Sequence, residues 1–212
     1  MTATKTPSPT SRPRDGRSTR EAIIEAATRL MHVSGYQNTS LDDVLRESGV
    51  GKGNFYYHFR SKEDLGFAIL DALVARFVER TLEPCFADPT AAPLEQIRCF
   101  LDRVLETQRK SNCVGGCFMG NLACELSDVH EGFRARLATV FTQWRARLTT
   151  ALGEGQVRGE VVASCRPEAA AQFLVAGLEG GILLTKVLKD IAVLEQCVSE
   201  LKCYLTLYEV RS

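Results

Sequence analysis

The chain has 212 residues, of which 45% are hydrophobic and 25% are charged. That length suits a small domain joined to a larger core, and we expect no apolar stretch that could cross a membrane, which excludes an integral membrane protein. The 26 Lys and Arg residues balance the 26 Asp and Glu residues overall, but residues 1–62 carry 10 basic and 6 acidic side chains and the remainder carries 16 and 20. A basic end on an acidic body is expected of a protein that meets phosphate at one end.

Residues 1–17 are rich in Thr, Ser, Pro and Arg and lack apolar periodicity, which predicts a disordered basic arm. No apolar core of a secretion signal follows the start, so we expect a cytoplasmic protein. Arg12, Arg14 and Arg17 are candidates for following phosphates or entering a minor groove. A plain solvated tail is the open alternative.

The first predicted helix covers Thr19 to Ser34 and ends at Gly35. A short helix follows, because Ser40 can cap it with Asp43 three residues on and apolar residues then recur at helical spacing. Gly49 suits the left-handed conformation that ends such a helix. The chain is therefore expected to turn sharply near residue 50.

A second short helix, from Lys52 to about His58, cannot be stable alone and needs Phe55 and Phe59 to pack against its neighbours. Its opposite face is left free. Lys, Tyr and His donors suit phosphate oxygens, Asn can pair with an adenine edge, and Gly lets the backbone approach a duplex. Taken singly, each of these residues could equally be an ordinary polar or half-buried residue of an amphipathic helix. The candidate DNA contacts are Ser40, Lys52, Gly53, Asn54, Tyr56, Tyr57, His58 and Lys62.

The run GVGKGNFYYHFRSKEDL resembles the signature of the TetR family of bacterial transcriptional regulators, in which Lys-Gly-x-aromatic-Tyr-x-His-Phe is followed by x-x-Lys. The chain departs from that pattern at Gly51, where members usually have Ser or a similar cap, so we expect a slightly frayed helix start. The resemblance implies an all-α fold with an N-terminal three-helix DNA-binding head and a C-terminal helical domain for ligand binding and dimerisation. The implied domains are the disordered arm (1–17), the helix-turn-helix domain (18–62) and the regulatory and dimerisation domain (63–212).

Helical patterns continue through the rest of the chain. Ser61 with Asp64 opens a long helix, which in the resembled family links head to body, and Pro93 opens the next one. Apart from Val161 and Val162 no strand pattern appears, which favours the all-α fold class. Further helical patterns cover about 118–127, 130–152, 167–188 and 191–210.

The last two helical patterns are candidates for self-association. Gly177, Gly180 and Gly181 lie beside an apolar stripe and permit close helix approach, and a second stripe follows from Leu194 to Tyr208. The resemblance implies that these helices meet their copies in a four-helix interface, so that a homodimer binds a palindromic operator. The alternative is that both stripes complete the core of one monomer.

An apolar cavity between helices would hold a small-molecule inducer, as the resemblance implies. Aromatic residues at helical spacing are also ordinary core, so the same residues could simply pack. The candidate pocket residues are Phe100, Val104, Phe118, Met119, Phe133, Phe141, Trp144 and Phe173.

Eight cysteines occur, at positions 85, 99, 113, 117, 124, 165, 197 and 203. In a cytoplasmic protein we expect reduced thiols that mostly act as small core residues, and a disulfide scaffold is not expected. A metal site is not predicted either, because His130 alone is a poor addition to Cys113 and Cys117 as a set of zinc ligands. The sequence indicates no cofactor.

Cys117 differs from the other cysteines because it precedes the apolar helix FMGNLACEL, whose N-terminus would favour a thiolate. The segments GCFMGNLACELSD and LEGGILLTK are similar to the ligand domain of a TetR subgroup that includes the N-ethylmaleimide reductase repressor and the acrylate-responsive repressor. The resemblance implies that Cys117 and Lys186 sense electrophiles or oxidants together, with a low-pKa Cys117. Cys113 and Cys124 are candidate second thiols. A buried packing cysteine and a solvated lysine are the open alternative.

The predicted function is therefore that of a TetR-type regulator, with repression as the sign that most family members show. Its release signal is either covalent at Cys117 or a reversible apolar inducer. An enzyme is the rival class, but no nucleophile lies at catalytic spacing from His32, His58 or His130. We therefore expect no enzymatic activity.

Overall fold

The computed structural model describes residues 16–210, and within that range the chain is helical apart from one isolated antiparallel bridge between Val161 and Glu209. The predicted all-α fold is confirmed, and the strand-like valine pair lies at this bridge. Residues 1–15 of the predicted arm, with Arg12 and Arg14, lie outside the described residues. Residues 16 and 17 of the predicted arm are the first residues of helix α1.

Three helices form the N-terminal head: α1 (Gly16–Ser34), α2 (Leu41–Ser48) and α3 (Lys52–His58). The predicted capping pair before α2 is present, since the Ser40 hydroxyl accepts from the Asp43 amide at 3.1 Å and the Asp43 carboxylate accepts from the Ser40 amide at 3.0 Å. The Ser40 hydroxyl also donates to this carboxylate, and these bonds lower the pKa of Asp43 to about 2. A charged carboxylate at a helix N-terminus is stabilising, so the start of α2 is fixed.

Glycines set the two ends of the turn between α2 and α3. Gly49 ends α2 with φ of 64°, as its left-handed role requires. Gly51 caps α3 without any side-chain hydrogen bond. Phe55 and Phe59, 0% and 2% exposed, hold the short helix in the core as predicted.

The long helix after Ser61 joins the head to the body. It consists of α4 (Lys62–Phe77), a π-helical turn (Val78–Leu82) and the short α5 (Glu83–Phe86). The Ser61 hydroxyl accepts from the Asp64 amide at 3.1 Å, which confirms the predicted cap. A π-helical turn carries one extra residue and often marks a functional site, so its position in the wall of a cavity (below) is informative.

Five further helices make the body: α6 (Pro93–Lys110), α7 (Phe118–Leu126), α8 (Glu131–Val157), α9 (Pro167–Leu188) and α10 (Ile191–Thr206). Helix α9 packs between α8 and α10, and α6 also contacts both of these helices. A single buried apolar cluster runs from Phe55 in the head to Leu205 in α10. Head and body therefore share a continuous hydrophobic core.

Two of the three glycines in α9 bring it close to α10. A Cβ at Gly177 would lie 2.8 Å from Leu201 Cδ2, and a Cβ at Gly181 would lie 3.0 Å from Cys197 Cβ. Gly180 points away from the chain, with no atom within 4 Å of its Cβ position. The same side of the molecule carries large apolar side chains that are each at least half exposed: Phe173, Leu183, Leu184, Val187 and Leu188.

By length and composition alone, Pro167–Leu188 meets the criterion for a membrane-spanning helix. The expectation that no stretch would qualify was therefore wrong on that criterion. A core helix meets it equally well, and α9 packs against two neighbouring helices. Its remaining apolar surface is what a helix needs at a protein interface.

One cysteine pair departs from the expectation of reduced thiols. Cys85 in α5 and Cys99 in α6 are joined as a disulfide, with their Cα atoms 5.6 Å apart. This cross-link ties the end of the long helix to the body. The other six cysteines are free, and four of them are buried or partly buried, as expected of small core residues.

Candidate nucleic-acid interface and ligand cavity

The outer face of α3 is an exposed polar and aromatic surface of the head. Lys52, Gly53 and Asn54 are exposed, and Tyr56 and Tyr57 are 50% and 82% exposed. Tyr57 gains little from burial within its own chain, because an aromatic ring contributes to stability mainly when it is covered. The face therefore presents cationic, amide and phenol donors on a rigid helix, which is the donor set that phosphates and base edges accept.

Three of the predicted contact residues are held by the protein itself. The Ser40 hydroxyl is committed to the α2 cap, and His58 is half-buried with its ring edge-on to Tyr57 at 4.9 Å. The Lys62 ammonium donates to the Gln37 carbonyl at 3.3 Å and lies 4.6 Å from the centre of the Tyr36 ring. Burial lowers the pKa of Lys62. Lys62 therefore braces the α1–α2 loop in this structure, rather than lying free beside α3.

A cation on a neighbouring helix was missed by sequence reasoning. The exposed Arg20 of α1 places its guanidinium 5.2 Å from the centre of the Phe59 ring, just behind α3. Nothing in the local pattern distinguishes Arg20 from the other arginines. Only the packing of α1 on α3 brings it to this surface.

A cavity of about 480 Å³ lies in the body between α4, the π-helical turn, α6, α7, α8 and α9. Its size falls within the range of small-molecule sites. Five of the eight predicted pocket residues line it: Phe100, Val104, Phe118, Met119 and Trp144.

The three other predicted pocket residues do not line the cavity. Phe133 is fully buried between the head and the body, edge-on to Tyr36 at 5.1 Å. Phe141 lines a separate recess of about 180 Å³. Phe173 is 51% exposed and packs on Tyr204 at 4.7 Å. Helical spacing alone cannot tell these environments apart, because it shows which residues share one face of a helix and not what that face packs against.

Cys117 lies in the cavity wall at the N-terminus of α7, where its Sγ accepts from the Gly120 amide at 3.3 Å. The expectation of a low pKa was wrong. Burial, and next the negative charge of Glu179, raise the pKa of Cys117 well above its usual value, and these effects outweigh the Gly120 amide. The thiol hydrogen-bonds the Glu179 carboxyl group, whose own pKa is raised by burial.

Lys186 lies beside the same loop but pairs with a different residue. Its Nζ donates to Asn121 Oδ1 at 3.0 Å, and its chain passes close to Gly116, which has φ of 72°. A Cβ on Gly116 would lie 3.1 Å from Lys186 Cδ. Glu179, rather than Lys186, is thus the charged partner of Cys117. The signal that could have revealed it is an acid within the apolar segment LVAGLEGGILL.

Both ends of α7 touch the head. At its C-terminal end the Glu125 carboxylate accepts from the Tyr36 amide at 2.9 Å and from the Gln37 amide at 2.5 Å. At its N-terminal end His32 Nε2 lies 3.0 Å from the Gly116 carbonyl oxygen. We name the Glu125 contacts with residues 36 and 37 the α7 clamp. This short helix joins the cavity wall directly to the α1–α2 loop.

Two family models match separate parts of the chain. Residues 23–69 match the family model described as bacterial regulatory proteins, tetR family. Residues 93–201 match the model described as Tetracyclin repressor-like, C-terminal domain.

The chain is 34% identical to the transcriptional regulator AcuR of Cereibacter sphaeroides, over 79% of this chain and 76% of that protein. The crystal structure of a TetR transcriptional regulator from Chloroflexus aurantiacus has a TM-score of 0.83 and 30% identity, covering 92% of this chain and 97% of that one. The reduced form of NemR from Escherichia coli has a TM-score of 0.78 and 27% identity, covering 87% and 95%.

Proposed function

Since the chain belongs to the TetR family and is a transcriptional regulator rather than an enzyme, we propose that it is a cytoplasmic repressor whose homodimer binds an inverted-repeat operator and releases it when a small molecule fills the cavity. The exposed donor face of α3 carries this proposal. The sign of regulation rests on relatives that are named repressors, such as NemR. We propose three segments with separate roles: a basic arm (1–17), a DNA-binding head (18–62) and a regulatory and dimerisation body (63–212).

A homodimer is favoured by the uncovered apolar side of α9. Large apolar side chains rarely gather on a protein surface without a partner, and a twofold axis lets one such patch cover itself. The same axis would present two copies of α3 to adjacent half-sites of one duplex. The operator is therefore expected to be an inverted repeat.

The α7 clamp supplies a physical route from ligand to DNA. Cavity residues Cys117 and Met119 lie in the first turn of α7, while Glu125 holds the backbone of the α1–α2 loop. A ligand that shifts α7 must move or release that loop, and with it α3. Coupling of about 1–3 kcal/mol between two sites changes affinity by roughly 5–150-fold, which is enough to free an operator.

Reversible occupancy is the signal that the site chemistry favours. A thiol with a raised pKa is protonated at neutral pH and is a weak nucleophile. Covalent modification of Cys117 by an electrophile or oxidant is the second candidate, because its Sγ belongs to a cavity-lining residue and the Escherichia coli relative is described in a reduced form. Reversible occupancy predicts that Cys117 is dispensable for release.

Cys117→Ser distinguishes these two signals. Serine is a strong N-cap and preserves the acceptor for the Gly120 amide, so folding and operator binding should not change. Under the reversible proposal, release by the natural inducer is unchanged in the variant. Fluorescence anisotropy of labelled operator, with and without methylglyoxal or a quinone, provides the measurement. Release by these electrophiles from the wild type but not from the variant would establish the covalent signal.

The operator can be identified by selecting the DNA fragments that the protein binds from the genome of the source organism. We expect the selected fragments to share an inverted repeat, and the purified protein to prefer it over a scrambled duplex of equal length by at least about 1000-fold at moderate salt. Binding that is equal on both duplexes would contradict the proposed function.

Gly53→Ala tests the close approach of α3 to DNA. No atom lies within 4 Å of a Cβ at this position, so the protein tolerates the methyl group, and alanine should stabilise the helix by about 0.5–1 kcal/mol. Operator affinity should nevertheless fall, on the order of tenfold, because the methyl group keeps the backbone from the duplex.

The matched control for this variant is Gly153→Ala in α8, where the Cβ position is equally open. Thermal unfolding and anisotropy are measured for both proteins. The control should gain stability without losing affinity. If the Gly53→Ala protein is more stable and binds the operator as tightly as the wild type, Gly53 does not lie close to the DNA.

A further inference from the structure

Polar groups without partners gather on the wall of the cavity. Trp144 is only 4% exposed, and within residues 16–210 its Nε1–H has no hydrogen-bond acceptor. Thr81 and Gln108 also line the cavity, and their side chains make no hydrogen bond to another described residue, although their polar atoms remain accessible. A folded protein rarely leaves a buried donor such as the Trp144 N–H unpaired, since it costs free energy unless something else bonds to it. The position of this donor on the cavity wall, beside two polar side chains with free hydrogen-bonding capacity, points to a bound partner.

The same wall is rich in unpaired cations. Arg76 and Arg80 lie one helical turn apart, and neither guanidinium forms a hydrogen bond or ion pair within the part of the chain that the structure describes. Arg103 donates to the Arg80 carbonyl oxygen at 3.1 Å, which leaves most of its donors free. These three exposed arginines place positive charge on the side of the cavity formed by α4, the π-helical turn and α6.

The acidic residues on the wall do not neutralise these arginines. Glu106 pairs instead with Arg109 and Lys110, at 3.7 and 3.6 Å. Glu179 is held by the Cys117 thiol. The unpaired hydrogen-bonding groups on the wall are therefore mostly donors, and most of these donors belong to positively charged side chains.

The rest of the lining is apolar, with Leu73, Phe77, Phe100, Phe118 and Ile182 among its side chains. Building on the proposed function, we propose that the inducer is an amphiphilic anion. Its apolar body fills this space, and its carboxylate or phosphate head binds the arginines. The π-helical turn contributes both Arg80 and Thr81 to the wall, which gives that irregular turn a role.

Four probes with the same eight-carbon tail test this assignment on the full-length protein: octanoate, octyl phosphate, octanol and octyltrimethylammonium. Trp144 is the single tryptophan of the chain, so its fluorescence reports binding, and calorimetry gives the affinity. We expect an anion to bind at least about tenfold tighter than the alcohol, and the ammonium to bind weakest. Octanoate and octyl phosphate then distinguish a carboxylate ligand from a phosphate ligand.

Two variants locate the head group. Arg80→Gln should weaken the preferred anion about tenfold and leave octanol unchanged, since it removes only charge-assisted bonds. Trp144→Phe keeps an aromatic ring but deletes the N–H, and calorimetry should show a loss of a few-fold. Arg166→Gln is the control, because this exposed arginine lies outside the cavity lining.

Three outcomes would overturn the assignment: equal affinity for octanol and the anions, tighter binding of the ammonium, or no binding of any probe at about 1 mM. Loss of affinity in the Arg166→Gln control to the same extent as in Arg80→Gln would do the same. Operator binding is measured separately on inverted-repeat DNA. A protein that binds DNA but no anion refutes only the ligand class, whereas one that binds anions but no DNA refutes the proposed function.

Discussion

Replacing Leu184 with Glu is expected to convert the proposed homodimer into monomers and to weaken operator binding by at least about 100-fold. Leu184 is 50% exposed in the middle of the uncovered apolar side of α9, next to the outward-facing Gly180. At a twofold axis a residue lies near its own copy, so the variant introduces two like charges into an apolar contact. A monomer recognises one half-site only, and its affinity falls towards that of non-specific binding.

Analytical ultracentrifugation checks the mass of this variant, and fluorescence anisotropy checks its affinity for operator. Val129→Glu is the matched control, because Val129 is 71% exposed in the turn before α8 and belongs to neither α9 nor α10. The control should remain dimeric and bind normally. The interface assignment fails if Leu184→Glu remains a dimer. The requirement for two heads fails if a monomeric variant binds as tightly as the wild type.

Glu125→Ala is expected to free the α1–α2 loop from the body and to abolish most of the coupling between cavity and operator. The substitution leaves the Tyr36 and Gln37 amides without their charged acceptor. Because the clamp is partly exposed, we expect a loss of about 1–2 kcal/mol in the free energy of unfolding, below the full value of buried charge-assisted bonds. Hydrogen exchange of these two amides should quicken.

Urea denaturation and hydrogen exchange provide these measurements, with Asp128→Ala as control. Asp128 carries the same charge three residues away, is exposed, and makes no hydrogen bond or ion pair within residues 16–210. Operator affinity is measured for each protein without and with a probe that releases the wild type from DNA. In Glu125→Ala the ratio of these two affinities should fall towards one. If exchange at residues 36 and 37 quickens but that ratio is unchanged, the signal travels through α4 instead.

The head could be predicted almost completely because its determinants are local. The Ser40 and Asp43 cap, the positive φ at Gly49 and the burial of Phe55 and Phe59 each depend on residues a few positions apart. Helix ends in the body were predictable to within a few residues for the same reason. Lys62 and Arg20 are the exceptions. The partners of Lys62 belong to the loop at residues 36 and 37, and Arg20 reaches Phe59 from another helix, so only folding creates these contacts.

The cavity could be predicted only in part. Five of the eight candidate residues line the cavity, but Phe133, Phe141 and Phe173 share their spacing and chemistry while facing three other environments. Cys117 shows the same limit for charge. Its position at a helix N-terminus predicts a thiolate, whereas burial beside Glu179, 62 residues away, reverses the direction of the pKa shift.

The sequence by itself determined the all-α fold, the helix-turn-helix and the family, because helix periodicity, capping and turn glycines act between residues close in the chain. Only the tertiary structure decided which apolar side chains face the cavity, which arginines lack partners, and that α7 joins the cavity to the head. Those properties depend on burial and on pairing between distant segments. Desolvation and long-range hydrogen bonds contribute free energy only once the helices have packed.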